Sequence, residues 1–335
     1  MEKTINHLKE NLAFYLTIVL LVWIPLYPKF PLFEIFGTYI AVRLEDFVLA
    51  IAFALWIIVY FRDPKEFFNN SLNRAVILFL AIGAVSLFSG LYLTKSIEEP
   101  HLGLLHYLRR VEYFLPFFIA VTAIKKREHL NSVVVILGIV IAATTVYGVG
   151  QKLFSWPVIS TMNKEFSKGL YLILTPDAQL NSTFAGHYDL AAFTAMMLPL
   201  FVILFIDRKR LLVKIICFLL TGTLLWLLLA SASRISFAAA LVGILSALWI
   251  SSRKKFVVPA VIFAVMLLFT GKDLLARFAQ TWYSLPSAIT VKFPLGEKIA
   301  QKFAIQRTHP GYKIDPEVKD PTTATASAGK IAVKE

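Results

Sequence analysis

Between Ile215 and Ile250 the chain runs for 36 residues with one charged side chain, Arg234. As a single helix this run would be about 54 Å long, at about 1.5 Å per residue. The hydrocarbon core of a bilayer is about 30 Å thick. The run must therefore fold back on itself. Its polar cluster is Ser231, Ser233, Arg234 and Ser236, so the reversal is expected there, at a membrane surface.

The rest of the chain has the same character. Hydrophobic residues make up 58% of it and charged residues 16%, with a mean hydropathy of +0.70. That composition excludes a water-soluble domain and points to lipid as the main solvent. About 20 apolar residues cross a bilayer once. The expected fold is all-α, a polytopic membrane bundle of about nine helices. The candidate spans cover residues 11–27, 44–61, 75–93, 103–124, 131–150, 187–206, 211–230, 235–250 and 256–271. The first lacks a small-residue cleavage site and reads as an uncleaved signal-anchor.

The loops alternate in charge. The N-terminus and the stretches "FRDPKEFFNNSLNR", "KKREH", "DRKR" and "SSRKK" hold about 15 Lys and Arg, against about 7 in the other set. The positive-inside rule then places the N-terminus in the cytoplasm. It also accounts for the net charge of +13 without a nucleic-acid partner. The lone Cys217 allows no intrachain disulfide, and no histidine or cysteine spacing suggests a metal site. Residues 1–271 are expected to form the transmembrane domain. Residues 272–335 read as the start of an extracytoplasmic loop or tail.

Three polar features fall on the outer side by this scheme. Arg234 at the reversal is read either as a side chain snorkelling to headgroups or as an anion site. Its guanidinium fork matches phosphate oxygens, and Ser233 beside it carries a hydroxyl. Arg109 and Arg110 lie about two turns inside the fourth span. Pairing with Glu112, snorkelling and anion binding are all open to them. His187, Tyr188 and Asp189 open the sixth span, with Gly186 before them as a tight entry. His187 suits a general base. Asp189, with Tyr188, suits an orienting role or plain helix-start chemistry.

Three stretches resemble the O-antigen ligase and O-antigen polymerase family of bacterial envelope proteins. They are "LLLASASRISFAAALVGIL", "NSTFAGHYDLAAFTAMMLPL", and "LRRVEYFLPFFIA" with "VYGVGQKLF". The resemblance implies a multi-pass protein of the bacterial cytoplasmic membrane. It implies transfer of glycan from a polyprenyl-diphosphate carrier to a glycan, lipid or protein acceptor on the outer face, with no metal or other cofactor. It assigns Arg234, and Arg109 or Arg110, to the diphosphate. It assigns the base to a loop histidine, which here is His309. Family members carry further spans after the large loop, so the chain is expected to end within that loop. The competing class is a flippase or exporter of a lipid-linked glycan or anionic lipid, which calls for charges along a path through the midplane.

Overall fold

The computed structural model describes residues 2–29, 31–35, 41–60, 64–124, 126–158, 172–175, 178–270 and 312–314. These are mostly helical. The chain forms two compact units, Met1–Val140 and Ile141–Glu335. This division falls inside the 1–271 segment. Residues 272–335 lie outside the described residues apart from a short strand at Tyr312–Ile314.

In the first unit, α1 (Glu2–Leu26) is followed by a hairpin of β1 (Pro31–Glu34) and β2 (Ala41–Arg43). Then come α2 (Leu44–Tyr60), the short α3 (Pro64–Asn69), α4 (Ser71–Phe88) with a π-helical turn at Ser89–Leu93, and α5 (Pro100–Ala123). Helix α6 (Arg127–Leu153) begins in this unit and ends in the next. In the second unit β3 (Leu172–Leu174) precedes α7 (His187–Asp207), α8 (Leu211–Ser231), α9 (Arg234–Ile250) and α10 (Val257–Thr270). The strand Tyr312–Ile314, β4, pairs antiparallel with β3.

The chain is a helical membrane protein. Four of its helical segments are long and apolar enough to cross a bilayer: Ser71–Leu93, Arg127–Leu153, His187–Asp207 and Leu211–Ser231. Each of the other predicted spans also coincides with a helix. Exposed Leu, Ile, Val and Phe along α2, α4, α8 and α10 are what a lipid-facing surface requires. An extended chain would leave backbone N–H and C=O groups unpaired in lipid, so the apolar runs become helices.

The first unit is held by α1, α2, α4 and α5. Its buried centre is Ala13, Leu20, Leu49, Ala52, Trp56, Phe118, Ile119 and Ala123. Contacts at the two ends give the directions of the helices. At one end Arg109 of α5 pairs with Asp46 of α2 at 2.8 Å. At the other, Trp56 Nε1 donates to Thr122 Oγ1 at 2.8 Å. So α2 and α5 run parallel. Helix α1 runs against them. Lys29, just past its C-terminus, pairs with Glu45, while Phe14 stacks on His129 beyond the end of α5. Helix α4 is antiparallel to α5: Tyr107 donates to Leu80 O at 3.0 Å, and Gly103 faces Leu87.

In the second unit α7 and α9 run parallel, in contact along their length. Pro199 packs against Gly243 midway. Arg253, just past α9, pairs with Asp207 at the end of α7 at 2.8 Å. A Cβ at Gly243 would come within 2.8 Å of the Pro199 ring, so this close approach needs glycine. Arg253 and Asp207 belong to "SSRKK" and "DRKR", and the structure brings these two basic loops to one end of the unit. Lys254 lies 4.1 Å from the Trp249 ring centre, an amphipathic pair suited to a membrane interface.

Candidate functional site

The reversal in the long apolar run is a two-residue turn. Helix α8 ends at Ser231, Ala232 takes a left-handed conformation (φ 50°, ψ 34°), and Ser233 caps α9. Arg234 is the first residue of α9. The serines of this cluster are committed to the turn. Ser231 Oγ donates to Leu228 O at 2.7 Å. Ser233 Oγ donates to Ser236 Oγ at 3.0 Å and accepts from the Ser236 amide. Ser231, Ala232 and Ser233 are buried, while Arg234 is half-buried. The guanidinium is thus the part of the turn that reaches toward its surface.

Because α7 and α9 are parallel, their N-termini lie at the same end. Each leaves amide N–H groups pointing outward and carries a positive partial charge. At α7 this end is His187, Tyr188 and Asp189. The His187 and Tyr188 rings lie 4.0 Å apart, and His187 Nε2 is shielded from solvent. Tyr188 and Asp189 are exposed. Gly186, expected to permit a tight entry, is extended (φ −149°, ψ 159°). A Cβ there would meet only Asp189 Oδ2, at 3.7 Å. The position does not need glycine, because these backbone angles are open to any residue.

Below these ends lies a feature that sequence reasoning missed. Residues 180–185, "LNSTFA", are buried yet not helical. Buried backbone polar groups need partners within the protein. Here α6 and α8 supply them. The Leu180 amide donates to Ala230 O at 3.0 Å, near the end of α8. The Ser182 amide donates to Gln151 Oε1 at 2.8 Å, and Gln151 Nε2 donates back to Ser182 O at 3.1 Å. Gln151 thus mimics the edge of a β-strand. Its Nε2 also donates to Pro157 O at 3.1 Å. Ser182 Oγ donates to Thr144 O at 2.6 Å. Ser182 has a φ of 52°, a left-handed conformation that costs a non-glycine residue about 1 kcal/mol or more; these bonds hold it there.

Two glycines of α6 make room for the loop. A Cβ at Gly148 would come within 3.1 Å of Leu180 and 3.2 Å of Leu227. A Cβ at Gly150 would fall inside the Trp156 indole. Trp156 is held against Tyr147, ring centres 5.4 Å apart, and its amide bonds to Gly150 O. Gly150→Ala is expected to lower stability by about 1–3 kcal/mol through overpacking, read as a lower melting temperature in detergent. One more cation stands at this end: Lys152 Nζ donates to Ala178 O at 2.8 Å. The signal for this arrangement was an amide, Gln151, followed by a lysine at the end of an otherwise apolar span.

The remaining candidates lie elsewhere. Arg109 belongs to the first unit, in a cluster of alternating charge. It bonds to Asp46 at 2.8 Å and Glu112 at 3.2 Å, and its guanidinium lies 5.9 Å from the Tyr113 ring centre. Arg43 and Lys29 pair with Glu45 in the same cluster, and the Arg43 amide donates to Asp46. Three cations and three carboxylates balance one another. Burial of such charges is tolerable only with this pairing. Pairing with Glu112, one of the options open for Arg109, is therefore observed, with Asp46 added. Arg110 is exposed. His309 lies outside the described residues.

The arrangement in the second unit suits an anion at a membrane surface. Two helix N-termini, one guanidinium and one ammonium gather around a non-helical loop held in place by α6 and α8. No protein-family model, curated protein or solved structure matches this chain.

Proposed function

We propose that the second unit binds the diphosphate of a polyprenyl-linked glycan and supports transfer of that glycan to an acceptor hydroxyl at the outer face of a bacterial cytoplasmic membrane. The observation that carries this reading is Arg234 at the first position of α9, beside the parallel N-terminus of α7. A lipid diphosphate sits with its charges at headgroup level and its tail in the membrane. A guanidinium beside aligned amide dipoles is a match for it.

In the proposed reaction the acceptor oxygen attacks the anomeric carbon. The bond from that carbon to the diphosphate oxygen breaks, and the electron pair leaves with the diphosphate. Arg234 stabilises the charge that develops there, often the largest catalytic contribution. The hydroxyl proton passes to a base, for which His187 and His309 are the candidates, with Asp189 and Tyr188 as the candidates to orient His187. A single displacement inverts the anomeric centre. Ser233 serves by fixing the turn that presents Arg234. Arg109 and Arg110 are secondary candidates for the diphosphate, and Arg109 would have to exchange its carboxylates for it.

The opposing class is a flippase or exporter. Proteoliposomes carrying a polyprenyl-diphosphate-linked oligosaccharide separate the two. Acceptor-dependent release of free polyprenyl diphosphate is the expected result. Movement of intact donor to the other leaflet, with no cleavage when acceptor is present, would overturn the proposal in favour of transport.

A further inference from the structure

The Asn181 side chain is an unexplained group in the buried loop. It is 0 % exposed, and neither its Oδ1 nor its Nδ2 has a hydrogen-bond partner among the described residues. Thr144 Oγ1, on the α6 residue whose carbonyl binds Ser182, is orphaned in the same way. A primary amide offers two donors and an acceptor with two lone pairs. Leaving all of them unmade in a sealed site is costly. The backbone around Asn181 is nonetheless fixed on both sides. Leu180 is anchored to Ala230, and Ser182 to Gln151 and Thr144. The loop therefore holds in place an amide that makes no bond of its own.

We infer that Asn181 is a substrate-contacting residue, held ready in the free protein and hydrogen-bonded to the sugar attached to the diphosphate when donor binds. This rests on the function proposed above. The chemistry favours sugar over diphosphate. Phosphate oxygens accept only, which would use the amide nitrogen and leave its oxygen unpaired. A sugar hydroxyl or acetamido group both donates and accepts, and matches the amide at both atoms. With its neighbours anchored, rotation of the side chain rather than movement of the loop brings the amide to the ligand.

The inference makes two predictions of opposite sign for Asn181→Leu, which keeps the branched shape of the side chain although leucine is bulkier. Removing an orphaned amide from a sealed site raises the melting temperature of the free protein by a few degrees. It also removes the gain in binding due to the sugar. The experiment is a thermal-shift titration of the full chain in detergent with two probes. One is polyprenyl diphosphate; the other is polyprenyl diphosphate carrying a single N-acetylhexosamine. The wild-type protein is expected to be stabilised by both, and to bind the sugar-bearing probe more tightly. Asn181→Leu is expected to keep the first response and lose roughly tenfold in affinity for the second. Asn181→Met, whose flexible side chain adapts to irregular space, serves if the leucine variant does not fold.

A free variant that melts below wild type makes Asn181 structural and overturns the inference, as does an unchanged preference for the sugar-bearing probe. Equal wild-type affinity for the two probes also overturns it while leaving the proposed function standing. No wild-type response to either probe sinks the proposed function, and this inference with it.

Discussion

Arg234→Ala is expected to abolish glycan transfer in a protein that still folds and inserts. The side chain is half-buried at the first position of α9. The turn beneath it is held by the Ser231 and Ser233 hydroxyls and the left-handed Ala232. Removing it therefore leaves the reversal in place and takes away charge where the leaving diphosphate would form. Loss of one such group typically costs 10²–10³ in rate, or about 2.7–4 kcal/mol. Arg234→Lys is expected to restore little, because a point charge lacks the planar fork. The measurement is acceptor-dependent release of polyprenyl diphosphate at matched protein levels and melting temperatures. Full activity in Arg234→Ala would remove the basis of the proposed site.

Gln151→Leu is expected to be the most destabilising single change in the second unit. Gln151 is buried and bonds to three backbone groups: the Ser182 amide, Ser182 O and Pro157 O. Leucine fills much of the same volume but leaves the Ser182 amide and carbonyl unpaired, while Pro157 O keeps its bond from Tyr147 Oη. Each buried polar group left unpaired costs about 1–3 kcal/mol. A loss of roughly 3 kcal/mol or more is expected, since lipid offers no replacement partner. Ser182 would then lose two of the bonds that hold its left-handed conformation and keep the one from Oγ to Thr144 O, so the loop would be held on α6 more weakly. The observable consequence is a large fall in melting temperature, together with protease sensitivity between α6 and α7. Asn181→Leu is predicted to shift the melting temperature the other way. The two variants thus separate an amide that holds the loop from an amide that the loop holds.

The helices were legible because lipid imposes a local rule. Backbone polar groups must be paired within the segment, so a long apolar run becomes a helix wherever it occurs. The reversal at Arg234 was legible for a related reason: a run of 36 residues exceeds the bilayer, and the polar cluster marks where it turns. The pairing of Arg109 with Glu112 was open to inspection because three residues along a helix bring side chains together. Its other partner, Asp46, belongs to a different helix, and only the packing of α2 on α5 brings it there. Gly186 was expected to permit a tight entry, and its backbone there is extended. Glycine marks conformational permission, and the extended chain at that point makes no use of it. By contrast, the glycines at 148, 150 and 243 are needed for close approach to Leu180, Trp156 and Pro199. That need depends on what lies opposite, which composition does not record.

The buried loop shows where sequence stops being enough. "LNSTFA" has no hydrophobic period that marks it as interior, and by composition it belongs in solvent. It is interior because Gln151, Thr144 and Ala230, on two different helices, satisfy its backbone. The chain alone settles that its apolar runs become helices in lipid, because that follows from hydrogen bonds made within each run. Tertiary structure alone settles which polar side chains carry out specific tasks. An amide such as Gln151 or Asn181 has no fixed role until packing decides which groups it meets and which it leaves waiting.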